Sequence, residues 1–213
     1  VNKRDSARHC QLFEARAPLP APSFSLDDYE REWEPGCDDG LSLVSLPGVF
    51  AHGRLDEGTA RLLPLLARLE PAGRVLDFAC GSGVIGLCLL RLCPGAELTL
   101  LDNSALALEA ARRSLARNGM QARLLPSDGL SRLEGRFEWI VSNPPFHKGV
   151  ANTLDVAERF FRDAGTFLAE NGKILVVFNR HLPYLGWLRK RFARVDVLDD
   201  ETAYLVVCAA GPR

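Results

Sequence analysis

The segment that most restricts what this chain can fold into runs from residue 74 to residue 102. A short apolar run (74–79) leads into the glycine-rich turn Gly81-Ser82-Gly83-Val84-Ile85-Gly86. An apolar stretch of helical length follows (84–92), and a second apolar run (97–101) ends at Asp102. Strand, turn, helix and strand in that order make a βαβ unit, whose strands lie parallel because a helix crosses between them. Glycines in the turn let the backbone approach a ligand closely, and the helix N-terminus behind them points toward it.

The same alternation continues along the chain. Ser104 is placed to cap a helix that runs to Asn118, with Gly119 as a left-handed stop. Runs 122–125 and 137–141 read as strands. The stretch 153–169 reads as one helix, with Leu154, Ala157, Phe160, Phe161, Ala164, Phe167 and Leu168 at helical spacing and Asn171-Gly172 ending it. A strand (173–178), a basic helix (184–192) and a closing strand pair (195–198 and 203–209) complete the series. Upstream, a strand (41–46) and a Pro47-Gly48 turn precede an amphipathic helix (56–69) that carries Leu62, Leu66 and Leu69 on one face. The pattern predicts an α/β fold: a doubly wound, mostly parallel seven-stranded sheet with helices on both faces. In such sheets ligands sit at the carboxyl ends of the strands.

Residues 1–36 lack this order. They hold the Pro-rich Ala17-Pro18-Leu19-Pro20-Ala21-Pro22 and scattered aromatics, and they read as a linker or the remnant of an N-terminal segment, with the catalytic domain expected over 37–213. A length of 213 residues suits one such domain, and 47% apolar with 25% charged residues excludes a disordered chain. No apolar run reaches the roughly 18 residues of a membrane span, and residues 1–5 lack the apolar middle of a signal peptide, so a cytoplasmic protein is expected. Six cysteines without a C-x-x-C pair read mostly as small buried residues, giving neither a zinc site nor a disulfide framework; no metal is expected. The net charge of -1 gives no global basic footprint, so any nucleic-acid substrate needs a local patch. Arg180, His181, Arg189, Lys190, Arg191 and Arg194 could form one, or simply a solvated face.

Two loops carry chemistry. Asp102 closes its strand about 20 residues after the glycines, where a carboxylate can accept both hydroxyls of a ribose. Asp77 stands just ahead of the glycines, where its charge would repel a pyrophosphate and welcome a cation; the sulfonium and ammonium of S-adenosylmethionine fit, and a dinucleotide does not. An Asp there can also do no more than cap turn amides. Asp128, in Ser127-Asp128-Gly129, could accept an adenine amino group or serve its turn. The second loop, Asn143-Pro144-Pro145-Phe146, is stiffened by two prolines. The Asn143 side-chain oxygen and the Pro144 carbonyl can accept the two hydrogens of an amino group and turn its lone pair toward an incoming methyl, while Phe146 can stack on a flat base.

Val75-Leu76-Asp77-Phe78-Ala79-Cys80-Gly81-Ser82-Gly83 resembles motif I of class I methyltransferases with a Rossmann-like sheet. Ser142-Asn143-Pro144-Pro145-Phe146-His147 resembles motif IV of the bacterial ribosomal RNA (guanine-N2)-methyltransferases, the small-subunit enzymes being the more similar. Leu46-Pro47-Gly48-Val49-Phe50, followed by Leu55-Asp56-Glu57-Gly58-Thr59, is similar to the segment preceding motif I in that family. The resemblance implies methyl transfer from S-adenosylmethionine, which becomes S-adenosylhomocysteine, to the N2 amine of a guanine in ribosomal RNA. It implies a cofactor set of Asp77, Ala79, Gly81, Gly83, Asp102, Asn103, Asp128 and Asn143, and an acceptor set of Asn143, Pro144 and Phe146. Ribosomal RNA or a ribosomal subunit is the implied partner, and a monomer is expected. Family members carry a further N-terminal domain that helps bind RNA. The chain departs from the pattern at Phe78-Ala79-Cys80, where many relatives have a further glycine; His147 and Lys148, directly after the Asn-Pro-Pro-Phe motif, could touch a phosphate. Other acceptors of the same loop chemistry stay open, namely adenine in DNA or RNA and protein glutamine, as does a non-catalytic RNA-binding module.

Overall fold

A computed structural model of the chain describes residues 2–7, 10–16, 23–36, 40–144 and 151–213, with backbone alone at 5–7, 10–12 and 151–154. In chain order the strands and helices are β1 (Asn2–Ala7), β2 (Cys10–Glu14), β3 (Arg31–Trp33), β4 (Leu43–Ser45), α1 (Glu57–Leu69), β5 (Arg74–Phe78), α2 (Val84–Leu92), β6 (Glu97–Asp102), α3 (Ala105–Arg117), β7 (Arg123–Pro126), β8 (Phe137–Ser142), α4 (Ala151–Asp163), β9 (Leu168–Asn179), α5 (Tyr184–Arg191), β10 (Phe192–Asp199) and β11 (Tyr204–Pro212). Seven strands form the main sheet in the order β10-β11-β9-β8-β5-β6-β7. The five from β7 to β9 are parallel. β11 runs antiparallel to both β9 and β10. The chain lays β6 and β7 to one side of β5, then returns to the other side for β8. That reversal opens a crevice at the carboxyl ends of β5 and β8.

Both faces of the sheet are buried, which is why its strands read as continuous apolar runs. Val75, Leu100, Val141 and Val177 pack under α1, α2 and α3 with Leu62, Leu66, Leu87 and Leu115. Leu76, Phe78, Ile140 and Val176 face the opposite side with Phe160 and Phe161 of α4 and Tyr184 of α5. Phe78 and Phe160 stack there, with ring centroids 4.1 Å apart. Among the described residues no helix is long and apolar enough to cross a membrane, and no group of three or more His, Cys, Asp or Glu could hold a metal ion.

The glycine at 86 sets how closely α2 can approach the sheet. A Cβ there would sit 2.4 Å from Leu100 Cδ2 and 2.9 Å from Leu98 Cδ2. Alanine is a better helix former than glycine by about 1 kcal/mol, but overpacking a core costs about 1–3 kcal/mol. Gly86→Ala is therefore expected to destabilise the protein by about 1–2 kcal/mol in urea unfolding. A gain in stability would show that helix and sheet can separate freely.

The sequence expectation departs from the structure in four places. The helix expected over 153–169 ends at Asp163; a single 3-10 turn (Ala164–Phe167) follows, and Leu168 already opens β9 by pairing with Phe137 of β8. Pairing satisfies the backbone there, and it overrides an apolar spacing that suits either element. Gly172 then admits a bulge rather than ending a helix. The register shifts between Phe137 and Trp139, and a Cβ at Gly172 would meet the Phe137 carbonyl oxygen at 2.8 Å.

Within the stretch expected to be a linker, β1 pairs with β2 and β3 pairs with β4, both antiparallel. Leu26 packs on Leu46, Val49, Ala107 and Ala110. Arg113 of α3 donates to Asp27 and Glu30 at 2.6 Å each, and Arg117 pairs with Glu30 and Glu32. Ion pairs and a three-residue strand leave no periodic trace in a sequence, so the aperiodic composition concealed this docking. Cys80, Cys93 and Cys208 are free thiols, but Cys88 is disulfide-bonded, which corrects its reading as a plain core residue. Its place in an apolar helix does not tell a buried thiol from a half-cystine.

Candidate active site

β5 and β8 are neighbours in register, Phe78 opposite Ser142, so the loops that leave them emerge side by side. The Ser142 hydroxyl donates to the Phe78 carbonyl at 2.7 Å and ties the two exits together. After Phe78 the backbone turns left-handed at Ala79 (φ 57°) and Gly81 (φ 56°). The turn is held by bonds from the Cys80 amide to the Leu101 carbonyl and from the Gly83 amide to the Cys80 carbonyl, at 3.0 and 2.9 Å. A Cβ at Gly81 would meet nothing within 4 Å. The glycine edge therefore faces open space.

That space is a cavity of about 270 Å³. Ala79, Gly81, Asp102 and Asn103 form one wall, Asn143 and Pro144 another, and the turn Gly48-Val49-Phe50 a third. Asp102 shapes its own wall: one carboxylate oxygen accepts the Gly81 amide at 2.9 Å and the other the Ser104 amide at 2.8 Å. Each oxygen keeps a further lone pair for a ligand. A recess of about 30 Å³ adjoins the cavity, where Asn143 meets Asp56 and Thr59.

Asn143 holds the decisive geometry. Its amide nitrogen donates to Asp56 Oδ2 at 2.9 Å and to Thr59 Oγ1 at 3.0 Å. An ionised carboxylate only accepts, so the nitrogen must face Asp56. The Asn143 oxygen is consequently turned the other way, buried and without a partner among the described residues. An orphaned buried carbonyl oxygen costs about 1–3 kcal/mol, a cost that a bound donor would remove.

The structure thus brings Ala79, Gly81, Asp102, Asn103, Asn143 and Pro144 to one cavity. It does not bring Asp77, Gly83 or Asp128 there. Asp77 follows Val75 on the α2 side of β5, where it is fully buried behind the glycine turn. One of its oxygens accepts the Gly86 amide at 2.9 Å and the other has no partner among the described residues. Burial pushes its carboxyl up to about 8, against the lowering effect of the Gly86 bond and with a smaller push from the Asp102 charge. Direct contact between an Asp77 charge and a ligand, as the sequence suggested, is thereby replaced by a carboxyl lying beneath the turn. Gly83 caps α2, and a Cβ on it would meet Leu87 Cδ1 at 2.8 Å. Asp128 lines a separate cavity of about 400 Å³ with Ser131, Arg159 and Asp163. Pro145, Phe146, His147 and Lys148 lie outside the described residues.

The residues of this chain from position 40 to position 208 match the family described as methyltransferase small domain. The chain belongs to the methyltransferase small-domain family. Within it, "Ribosomal RNA small subunit methyltransferase C" of Shewanella loihica is 42% identical over 205 residues, which are 96% of this chain and 59% of that protein. The protein of the same name from Shewanella amazonensis is 41% identical over 96% of this chain and 60% of its own length. The chain thus spans about three-fifths of the curated relatives it matches. Among solved structures, a T. thermophilus 16S rRNA N2 methyltransferase in complex with AdoMet and guanosine is 32% identical. It superposes with a TM-score of 0.79 over 92% of this chain and 53% of that one. Ribosomal protein L11 methylase from Lactobacillus delbrueckii subsp. bulgaricus, at 20% identity and a TM-score of 0.62, shares the fold.

Three residues that line this cavity or its recess carry no individual role in the sequence analysis, although they fall in the segment that resembles the family: Phe50, Asp56 and Thr59. Asp56 was visible as a helix start, and it does cap α1 by accepting the Thr59 amide at 3.0 Å. Its second duty toward Asn143, 87 positions away, has no sequence signal. The basic cluster near the C-terminus is partly consumed by structure. Arg180 donates to the Asp200 and Thr202 carbonyls, Arg194 to Asp196, and Arg191 pairs with Glu158 at 3.8 Å, while Arg189 and Lys190 are exposed.

Proposed function

We propose that this chain is the catalytic domain of an S-adenosylmethionine-dependent methyltransferase that modifies the exocyclic N2 amine of a guanine in small-subunit ribosomal RNA. The observation that carries the reading is the Asn143 side-chain oxygen, buried, without a partner among the described residues and turned away from Asp56. An acceptor held in that way calls for a donor, and an aromatic amine brings two. The names of the relatives and the ligands of the T. thermophilus structure support the same substrate.

The residues present fit the cofactor. Open space beside Gly81 admits a chain against the backbone, and Asp102 has free lone pairs for a ribose. S-adenosylmethionine bound there supplies an electrophilic methyl on a cationic sulfur and leaves as S-adenosylhomocysteine. Ala79 and Gly81 shape the methionine side of the cavity, and Asn103 borders the nucleoside side. Asn143 and the Pro144 carbonyl accept the two amine hydrogens, so the nitrogen lone pair is directed at the methyl carbon. Transfer of that methyl to the aimed nitrogen would leave the electron pair of the broken C–S bond on sulfur and release one N–H proton to water. No nucleophilic side chain is needed. Phe146 keeps its sequence-based role as a stacking face, and the adenine contact of Asp128 is not carried into this reading. A ribosomal substrate would be met in the cytoplasm. Recognition of the intact RNA or subunit belongs to the whole protein.

The test is incubation with methyl-labelled S-adenosylmethionine and small-subunit particles or their RNA, followed by nuclease digestion and mass spectrometry. Label in N2-methylguanosine is expected. Label confined to adenine or to protein glutamine would replace the acceptor, and cofactor binding without any transfer would leave a binding module. Asp102→Ala should weaken cofactor binding at least about tenfold in calorimetry, the scale of one hydrogen bond to a charged group. An unaltered dissociation constant would remove the ribose contact.

A further inference from the structure

We propose that Asp56 and Thr59, in the first turn of α1, are positioning residues that hold Asn143 in the one orientation able to accept an amine. The inference rests on the reading of Asn143 given above. A side-chain amide is two-faced: rotated by half a turn, it offers a donor where it had offered an acceptor. A donor facing an amino group would meet donor against donor, and the lone pair would not be aimed. Two contacts oppose that rotation here, chiefly the one to Asp56, because a threonine hydroxyl can donate as well as accept. The Asp56 carboxylate at 2.9 Å would repel the amide oxygen, and the Thr59 hydroxyl oxygen at 3.0 Å takes the second N–H. Thr59 is 5% exposed, so water does not compete freely for its contact. Asp56 also accepts the Thr59 amide at 3.0 Å, so one carboxylate oxygen fixes the start of α1 and the acceptor loop together.

The arrangement also sets the class of acceptor. A base edge that offers only lone pairs, such as a carbonyl oxygen or an unprotonated ring nitrogen, would leave the Asn143 oxygen unpaired. An amino group satisfies it. Selection of an amine over the oxygen and the unprotonated ring nitrogens of the same base therefore resides partly at the start of α1, outside both loops that do the chemistry.

Thr59→Val deletes one acceptor at constant volume, and Thr59→Ser restores it. Asp56→Asn keeps the helix cap but no longer penalises a rotated amide. In an amide-detected spectrum of the free protein, the side-chain signals of Asn143 are identified by their disappearance in Asn143→Ala. They are expected to move in Thr59→Val and Asp56→Asn and to return in Thr59→Ser. Thr59→Val should lower turnover about tenfold with the cofactor dissociation constant unchanged, the scale of one lost hydrogen bond. In the Asn143→Ala background it should cost nothing further, because its effect runs through Asn143. Losses that add in the double variant, unmoved Asn143 signals, or a loss that appears in cofactor affinity instead of turnover would each overturn the proposal. If the parent protein transfers no methyl group, the reaction assigned above fails, while the Asn143 signals still decide whether Asp56 and Thr59 set its orientation.

Discussion

Asn143→Ala is expected to slow methyl transfer at least about 100-fold while cofactor affinity stays within about twofold, because the lost acceptor acts on the amine alone. The magnitude is that of one preorganised hydrogen bond that strengthens as charge develops on the reacting nitrogen. Several features concentrate the effect at this residue. The proline after Asn143 restricts its backbone, and Asp56 and Thr59 fix its amide. Asn143 lies outside the described strands and helices, and urea unfolding of the variant separates a folding defect from a lost catalytic contact. Single-turnover rates with saturating cofactor, set beside calorimetric dissociation constants, check both halves of the expectation. Equal rates for variant and parent would end the role of Asn143 as acceptor.

Asp77 should impose the largest pH dependence on stability. Its carboxyl is pushed up to about 8 by burial, against an ordinary value of 3.8. Between those values the folded chain binds a proton that the unfolded chain has released, so stability falls as pH rises, by up to about 1.4 kcal/mol per pH unit. Below the window both states are protonated, and above it both are ionised and the loss is complete. Asp77→Asn mimics the protonated carboxyl and can still accept the Gly86 amide. It is expected to flatten urea-derived stability across this range and to exceed the parent by more than about 1 kcal/mol at pH 8. A parent whose stability rises from pH 5 to pH 8 would show that Asp77 is ionised when folded. Denaturation curves of both proteins at three pH values decide the matter.

Much of this site is legible in the sequence because it depends on local backbone geometry. Gly81, Asp102 and Asn143 end or follow strands, and strand ends are marked by a change from apolar to turn-forming residues. Placing them beside one another needs only the parallel order of a doubly wound sheet. Asp77 shows the limit of that reasoning. The sequence gives its distance from the glycines but not which face of β5 it takes, and the α2 side puts it behind the turn. Asp128 shows a second limit, since the turn after β7 could lead toward either cavity and takes the one bounded by α4. Asp56 and Thr59 show a third: a contact spanning more than 80 positions is set by how α1 packs, which no periodicity encodes.

The pairing of Phe78 with Ser142 has a consequence for how such a protein can change its substrate. Adjacent strands stand ~4.8 Å apart wherever backbone hydrogen bonds join them. That spacing acts as a fixed gauge between the edge that carries the donor and the edge that grips the recipient. Neither edge can drift without breaking the ladder beneath it. Diversification in such a scaffold must then come from what is attached around the gap, its rim and its flanking segments, while the width of the gap itself is inherited.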